Sequence, residues 1–228
     1  MRKLDRNGVA RPCCLDTYDH NTQSWDDLGA QCKKNLRAAL FEMQGIPGIN
    51  SPDAKEYGLR CAYCESAIYH EGHIEHFRRK NKAHFPQLTF DWQNLFLACG
   101  SHHHCGHYKD RKAAPPYDPN LLIKPDVDDP SEFLHFHSSG EVRVRSGLQQ
   151  HEIERAEATI RVFGLDKPQL NGARAKSVSS YRKLVNKDLN ELESWPADLR
   201  CEYIAGEISS AKRAPHSATI RDFLETHL

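Results

Sequence analysis

Two pairs of cysteines lie close together in the middle of the chain. Cys61 and Cys64 are spaced C-x-x-C, and Cys99 and Cys105 follow further along the same stretch. Four thiolates satisfy the tetrahedral coordination of Zn²⁺ and leave no open position, so this set predicts a structural zinc site. The shorter spacing Cys99-Gly-Ser-His102 offers His102 as an alternative fourth ligand. We favour Cys105.

Glu75 and His76 place a carboxylate beside an imidazole between the two cysteine pairs. A zinc ribbon whose metal serves structure alone does not need Glu75 and His76. It also does not need Asn94, which precedes an apolar run into the second pair, or Lys109, which follows that pair. These additional polar residues indicate that the stretch does chemistry besides binding zinc.

The combined motif resembles the HNH endonucleases of the ββα-metal fold. The similarity is to the branch in which a C-x-x-C pair precedes an acidic residue followed by His. In that branch N-L-x-x-x-C then leads to the second pair of zinc ligands, and a Lys follows that pair. The opening MRKL, the position of the motif after one helix and the segment TIRVFGLDKPQLNGAR are similar to the retron-associated HNH proteins, the PtuB component of Septu-type anti-phage systems. The resemblance covers most of the chain and implies hydrolysis of nucleic-acid phosphodiester bonds.

The resemblance also implies a role for each polar residue of the motif. Glu75 would bind a catalytic Mg²⁺ or Mn²⁺, since hard cations prefer carboxylate oxygen. His76 would take the proton from the attacking water, since imidazole is a suitable base near pH 7. Asn94 would brace the loop that carries His76, and Lys109 would face the phosphate backbone.

The motif departs from the family pattern at one position. When Cys105 and Lys109 are aligned with C-[HN]-x-x-K, Gly106 stands where the second catalytic-metal ligand belongs. Glycine has no side chain that could bind a metal. The sequence offers His107 and His103, one helical turn apart, as replacements.

Charge is balanced over the chain, with 31 Lys plus Arg and 31 Asp plus Glu, so recognition of a polyanion must rely on local clusters. Residues 60–113 carry 8 basic and 5 acidic side chains. Arg78 and Arg79 directly follow the Glu-His doublet, and we expect them to contact phosphates. A solvated charge run is the alternative. Other histidines have weaker signals: we interpret His73 as a strand residue, with a role as a metal ligand as the alternative, and His104 as exposed.

The elements around the motif predict a mixed fold. The segment WDDLGAQCKKNLRAALFEMQG, with Ser24 as N-cap, has apolar residues at helical steps and predicts an amphipathic helix that ends before a Pro/Gly-rich loop at 46–60. The segment FLHFHSSGEVRVRS predicts a hairpin, and four segments after about Gln149 predict helices. We predict an α+β fold, a central zinc-stapled ββα-metal (HNH) module flanked by an N-terminal arm and helix and a C-terminal helical layer. Its parts are residues 1–58 (arm and helix), 59–113 (module), 114–150 (loop and hairpin) and 151–228 (helical region).

The remaining cysteines and the hydropathy pattern indicate a cytoplasmic protein. The first twenty residues lack an apolar signal region, and no segment approaches the roughly 18 apolar residues of a membrane span. In a reducing compartment Cys13, Cys14 and Cys201 are expected to be free thiols, and Cys32 a buried residue on the first helix.

The resulting functional hypothesis is a metal-dependent HNH endonuclease that acts on DNA or RNA and uses zinc only for structure. The resemblance implies a PtuA-like ATPase subunit as partner, and retron nucleic acid and a reverse transcriptase as further partners, without a membrane. The alternative is a zinc-stabilised nucleic-acid or protein-binding module without catalysis, for which Gly106 is the main argument.

Overall fold

The computed structural model describes residues 1–45, 58–68 and 72–226. Apart from one helix of 15 residues near the N-terminus, the helices and strands in the first two thirds of the chain are short, and the last third is helical. In chain order the elements are α1 (Ala30–Gln44), β1 (His73–His76), β2 (Leu95–Ala98), α2 (Cys105–Lys109), α3 (Pro130–Phe133), β3 (Leu134–Phe136), β4 (Val142–Val144), α4 (Gln150–Phe163), α5 (Pro168–Glu191), α6 (Ala197–Ala211) and α7 (Ser217–Glu225).

Strands β1 and β2 form an antiparallel pair in the centre of the molecule. Glu75 lies opposite Phe96, and His76 lies opposite Leu95. All four residues of β2 are buried, which explains why its sequence is a continuous apolar run instead of an alternating one. Helix α2 follows β2, so the polar residues of β1 are held against a rigid apolar strand and a helix.

One hydrophobic core joins the N-terminal arm, α1, β2 and α4. The arm contributes Met1, Leu4 and Leu15 to this core. Backbone contacts fix it there, because Leu4 N donates to Pro125 O at 2.7 Å. The largest fully buried apolar side chains of this core are Tyr63, Phe96, Phe136, Phe163, Met1 and Leu15.

The C-terminal helices form a second apolar cluster of their own. The four helices predicted after Gln149 are confirmed as α4 to α7. Buried residues of α5, α6 and α7 pack together in this cluster, which includes Val185, Ile204 and Leu224. Helix α7 also contacts the cysteine-bearing region, since His216 Nδ1 hydrogen-bonds to Cys64 O at 2.8 Å.

The predicted hairpin is confirmed by β3 and β4, which pair antiparallel with Leu134 opposite Val144. The first helix begins later than predicted. Ser24 caps a separate 3-10 turn at Trp25–Asp27, where Ser24 N donates to Asp27 Oδ2 at 2.6 Å, and α1 begins only after Gly29. Because the chain is extended at Leu28, Trp25 is removed from the face of α1.

Cys14 was predicted to be a free thiol, and this is wrong in the structure. Cys14 is bonded to Cys32, which links the arm to α1, and Cys32 is buried as expected. Cys13 and Cys201 are free and exposed. Residues 46–57 of the predicted loop lie outside the described residues. Among the described helices, none combines the length and apolar character that crossing a bilayer requires.

Candidate metal centre and active site

Cys61, Cys64, Cys99 and Cys105 converge on one buried point, with their sulfur atoms within 4.8 Å of one another. The Cys61–Cys105 and Cys64–Cys99 sulfur pairs are both 3.8 Å apart. Disulfide bonding would require about 2.0 Å. Tetrahedral zinc, with Zn–S bonds of about 2.3 Å, places its sulfur ligands about 3.8 Å apart. The cluster therefore has the spacing of a structural zinc site and could bind zinc.

The histidines beside these cysteines do not replace Cys105. His102 is exposed, and its ring stacks on His107 at 4.6 Å instead of joining the sulfur atoms. His104, expected to be exposed, is partly buried, and its Nδ1 lies 3.2 Å from the Cys105 sulfur. A hydrogen bond from His104 to a thiolate would stabilise the ligand set without adding a fifth ligand.

Glu75 is buried, and each of its carboxylate oxygens faces a basic group. Oε2 lies 3.0 Å from His73 Nε2, and Oε1 lies 2.9 Å from Lys109 Nζ. Burial alone would raise the pKa of Glu75, but the Lys109 ammonium and the hydrogen bond with His73 outweigh it and lower the pKa to about 2. Glu75 is therefore an ionised carboxylate at neutral pH.

His76 is held in a single tautomer. Its Nε2 lies 2.9 Å from Thr89 O, and because a carbonyl only accepts, Nε2 carries the hydrogen and Nδ1 has a free lone pair. The Trp25 ring packs against the imidazole nearly at a right angle, with a centroid distance of 4.5 Å. Burial, together with the charge of Lys80, lowers the pKa of His76 to about 3, so the ring is neutral at pH 7.

Asn94 closes the loop that begins directly after His76. Its Oδ1 accepts from Arg78 N at 2.7 Å, while Nδ2 donates to Arg78 O at 3.0 Å and to Leu88 O at 3.1 Å. The loop between these contacts includes Thr89, the residue that fixes the His76 tautomer. This geometry agrees with the bracing role expected for Asn94.

Lys109 was expected to face the phosphate backbone, but its side chain is fully buried. Besides its ion pair with Glu75, Nζ donates to His76 O at 3.0 Å and to Asp110 Oδ1 at 2.7 Å. Lys109 therefore holds the Glu75-His76 doublet in place from inside. The predicted contact with phosphate is not available to it, because the apolar run after Asn94 draws α2 and its lysine into the core.

An open pocket of about 350 Å³ lies over His76 and is rich in cations. Arg79 belongs to it and pairs with Asp110, whereas Arg78 does not belong to it and donates to Asn120 Oδ1 at 2.7 Å. Such a concentration of positive charge suits a phosphate group. The lining residues are His76, Arg79, Lys80, Asn81, Asp110, Arg111, Lys112 and Ala114.

Gly106 lies directly against Glu75 and His73. A Cβ atom at position 106 would be 2.3 Å from Glu75 Oε2 and 2.8 Å from His73 Nε2. Among the described residues, only the four-cysteine cluster brings three or more potential metal-binding side chains within 4.8 Å of one another. His103 and His107, the expected replacement ligands, therefore do not form such a group with Glu75.

Two contacts of the site were missed by the sequence interpretation. Trp25 was assigned to the apolar face of the first helix, and its contact with His76 depends on the capped turn that precedes α1. His73 was interpreted as a strand residue. Its spacing of two residues from Glu75 could have indicated the contact, because alternate residues of a strand point to the same face.

The comparisons with known proteins give one informative match. No family model matches the chain. The Septu protein PtuB of Bacillus mycoides (strain KBAB4) is 28% identical over 205 residues, covering 77% of this chain and 66% of that protein. The match thus spans slightly less than two thirds of the relative's length. The match agrees with the similarity of the motif and its flanking segments to the PtuB proteins of Septu systems.

Proposed function

We propose that the chain is a metal-dependent HNH endonuclease that hydrolyses nucleic-acid phosphodiester bonds in a Septu-type anti-phage system. One observation carries the proposal: a neutral imidazole with a free Nδ1 follows an ionised carboxylate in β1 and lies below a pocket lined by four cationic side chains. A packing or binding role alone does not require these three features in one place.

His76 acts as the general base in this proposal. The hydrogen bond from Nε2 to Thr89 O keeps the Nδ1 lone pair free to take the proton of the attacking water. General bases of this kind contribute about 10² to 10⁴ in rate. Asn94 contributes by holding the loop that contains Thr89, and Trp25 contributes by packing against the imidazole ring.

Glu75 is the proposed ligand of the catalytic ion, because it is an ionised oxygen ligand beside the base. A bound Mg²⁺ or Mn²⁺ would supply charge stabilisation at the phosphate and at the leaving 3′ oxygen. Arg79, Lys80 and the other pocket cations bind and orient the backbone of the substrate. Zinc at the four cysteines has no open coordination position and serves the fold alone.

A PtuA-like ATPase is the proposed partner, on the basis of the resemblance to the PtuB component of Septu systems and of the match to a Septu protein. The balanced charge of the chain fits a subunit that obtains part of its affinity for nucleic acid from such a partner. The retron partners implied by the resemblance receive no support from the match, and they are not part of the proposal.

The second candidate is a zinc-stabilised binding module without catalysis. It is favoured by Gly106, which leaves α2 without the metal ligand of the family pattern. The low exposure of His76, at 4%, also agrees with a structural role.

The test compares wild type with His76→Ala and, as a matched control, His84→Ala, an exposed histidine of a nearby loop. Each purified protein is incubated with labelled plasmid DNA and with total RNA in Mg²⁺ or Mn²⁺, alone and with the ATPase partner. We expect cleavage to fall by at least about 10²-fold in His76→Ala and to persist in His84→Ala, with zinc content unchanged. Equal cleavage by His76→Ala, or no cleavage of either polymer by wild type, would support the binding module.

A further inference from the structure

We infer that His73 is the second protein ligand of the divalent ion at Glu75, in place of the ligand that α2 lacks at Gly106. The inference rests on the proposed function, because it concerns the same ion. It changes which element supplies the ligand: a strand residue two positions before Glu75 replaces a helix residue of the family pattern.

The close approach of Gly106 carries the inference. A side chain at position 106 would start 2.3 Å from Glu75 Oε2, so this backbone position points directly at the carboxylate, as a ligand position should. The same Cβ atom would be only 2.8 Å from His73 Nε2. The imidazole of His73 therefore reaches the space that a ligand on α2 would enter, and it can do so only because residue 106 is glycine.

The separation of the two ligand atoms fits one ion. His73 Nε2 and Glu75 Oε2 are 3.0 Å apart. Adjacent ligands of an octahedral ion with bonds of about 2.1 Å are also about 3.0 Å apart. His73 Nδ1 is buried, and it has no hydrogen-bond partner within the described part of the chain. Without an ion, Nε2 donates its hydrogen to the ionised Glu75 carboxylate. An ion bound at both atoms would take the Nε2 lone pair, and the hydrogen would then be on Nδ1, which no other described group occupies.

The orientation of His107 excludes it as a ligand of the same ion. Its ring lies nearly parallel to that of His73, with centroids 3.9 Å apart and an interplanar angle of 17°. Imidazole lone pairs lie in the plane of the ring, so an ion in the plane of His73 lies well outside the plane of His107. His107 instead covers one face of His73 and holds its ring in place. His103 is exposed.

The experiment measures Mn²⁺ binding to the zinc-loaded chain, by calorimetry and by the loss of the free Mn²⁺ signal in electron paramagnetic resonance. We expect His73→Ala to weaken Mn²⁺ binding at least tenfold and the control His84→Ala to leave it unchanged. His107→Ala should weaken binding by less than His73→Ala, since it removes a supporting ring and no ligand. Zinc content and thermal unfolding verify that each variant is folded.

Moving the ligand from position 73 to position 106 provides a second test. Gly106→Asn in the wild-type background should weaken Mn²⁺ binding, because the new Cβ meets Glu75 and His73. In the His73→Ala background, the Glu75 carboxylate can turn away from the new Cβ into the space that the imidazole leaves. Gly106→Asn should then bind Mn²⁺ more tightly than His73→Ala alone, because the helix again supplies a ligand. A folded double variant that binds no better than His73→Ala would overturn the exchange.

The inference and the proposed function can fail separately. Wild-type affinity for Mn²⁺ in His73→Ala, or no Mn²⁺ binding by wild type, would overturn the ligand assignment. Loss of binding in His73→Ala, combined with no cleavage by wild type, would support the ligand assignment and contradict the nuclease.

Discussion

The four-cysteine cluster and the Glu75 site share helix α2, yet they differ in how completely their ligands are supplied. The cysteine cluster has four soft ligands, all buried, and no open position. The Glu75 site has a carboxylate with a histidine on one side and a lysine on the other, next to a cation-lined pocket. A closed ligand set stabilises a fold, whereas an incomplete set leaves room for substrate. The four-cysteine cluster is therefore the part that builds the module, and the Glu75 site is the part suited to chemistry.

Helix α2 connects the two sites within five residues. Cys105 belongs to the cysteine cluster, Gly106 touches Glu75, and Lys109 pairs with Glu75. A change in the cysteine cluster must therefore alter the Glu75 site, while a change confined to the Glu75 site can leave the cysteine cluster intact. The predictions below test this asymmetry.

The largest effect is expected from Cys61→Ser. Zinc binding in small structural sites supplies about 10 to 16 kcal/mol, which exceeds the stability of most domains. The variant should lose zinc and cooperative thermal unfolding together. Cys13→Ser, at an exposed free cysteine, should change neither property. A folded, zinc-free Cys61→Ser protein would show that the cysteine cluster is not a structural metal site.

Lys109→Met should have the second largest effect. It leaves the buried carboxylate of Glu75 without its cation, and removing one partner of a buried ion pair typically costs about 3 to 5 kcal/mol. Urea unfolding measures this cost, and metal analysis should still find zinc at wild-type content. The control is Lys82→Met, at an exposed position. Equal stability of the two variants would mean that Lys109 does not hold the doublet.

Asn94→Ala should destabilise the chain by about 1 to 3 kcal/mol, because Arg78 and Leu88 lose the hydrogen-bond partner that the buried Asn94 side chain provides. Cleavage should fall as well, since the same loop contains Thr89. Gln93→Ala, at the exposed neighbouring position, provides the control for urea unfolding and for cleavage. Reduced stability with full cleavage activity would separate Asn94 from the function of His76.

The most gradual effect is a pH dependence. The pKa of Glu75 in the folded chain, about 2, lies below its ordinary value of 4.5, so its contribution to stability is present above pH 4.5 and is lost as the pH falls towards 2. Glu75→Gln should remove this loss, which is at most about 1.4 kcal/mol per pH unit. Unfolding free energies at pH 5 to 2 measure the difference from wild type. Glu132→Gln, at an exposed carboxylate, should behave like wild type.

Spacing and periodicity predicted the parts of the fold that depend on local pattern. The C-terminal helices follow from their apolar stripes, and the cysteine set follows from the chemistry of four thiolates. Trp25 and Lys109 could not be placed in this way. Trp25 reaches His76 because a capped turn separates it from α1, and Lys109 is buried because α2 turns inward after an apolar strand. Both placements are tertiary, and local pattern contains no information about them.

The division into four parts at residues 58, 113 and 150 stays a prediction. The main core crosses each of these boundaries, since it contains Leu36, Phe96, Phe136 and Phe163. The parts are therefore better regarded as segments around one shared core, to which the second cluster of α5 to α7 is added.

The close approach of Gly106 has an evolutionary consequence. Positions 73 and 106 compete for one space beside Glu75, so a side chain larger than hydrogen at position 106 requires a smaller residue at position 73. Among relatives of this chain, those with histidine at position 73 should have glycine at position 106. Relatives with histidine or asparagine at position 106 should have a small residue at position 73. Covariation of this pair would record a ligand that moved from a helix to a strand.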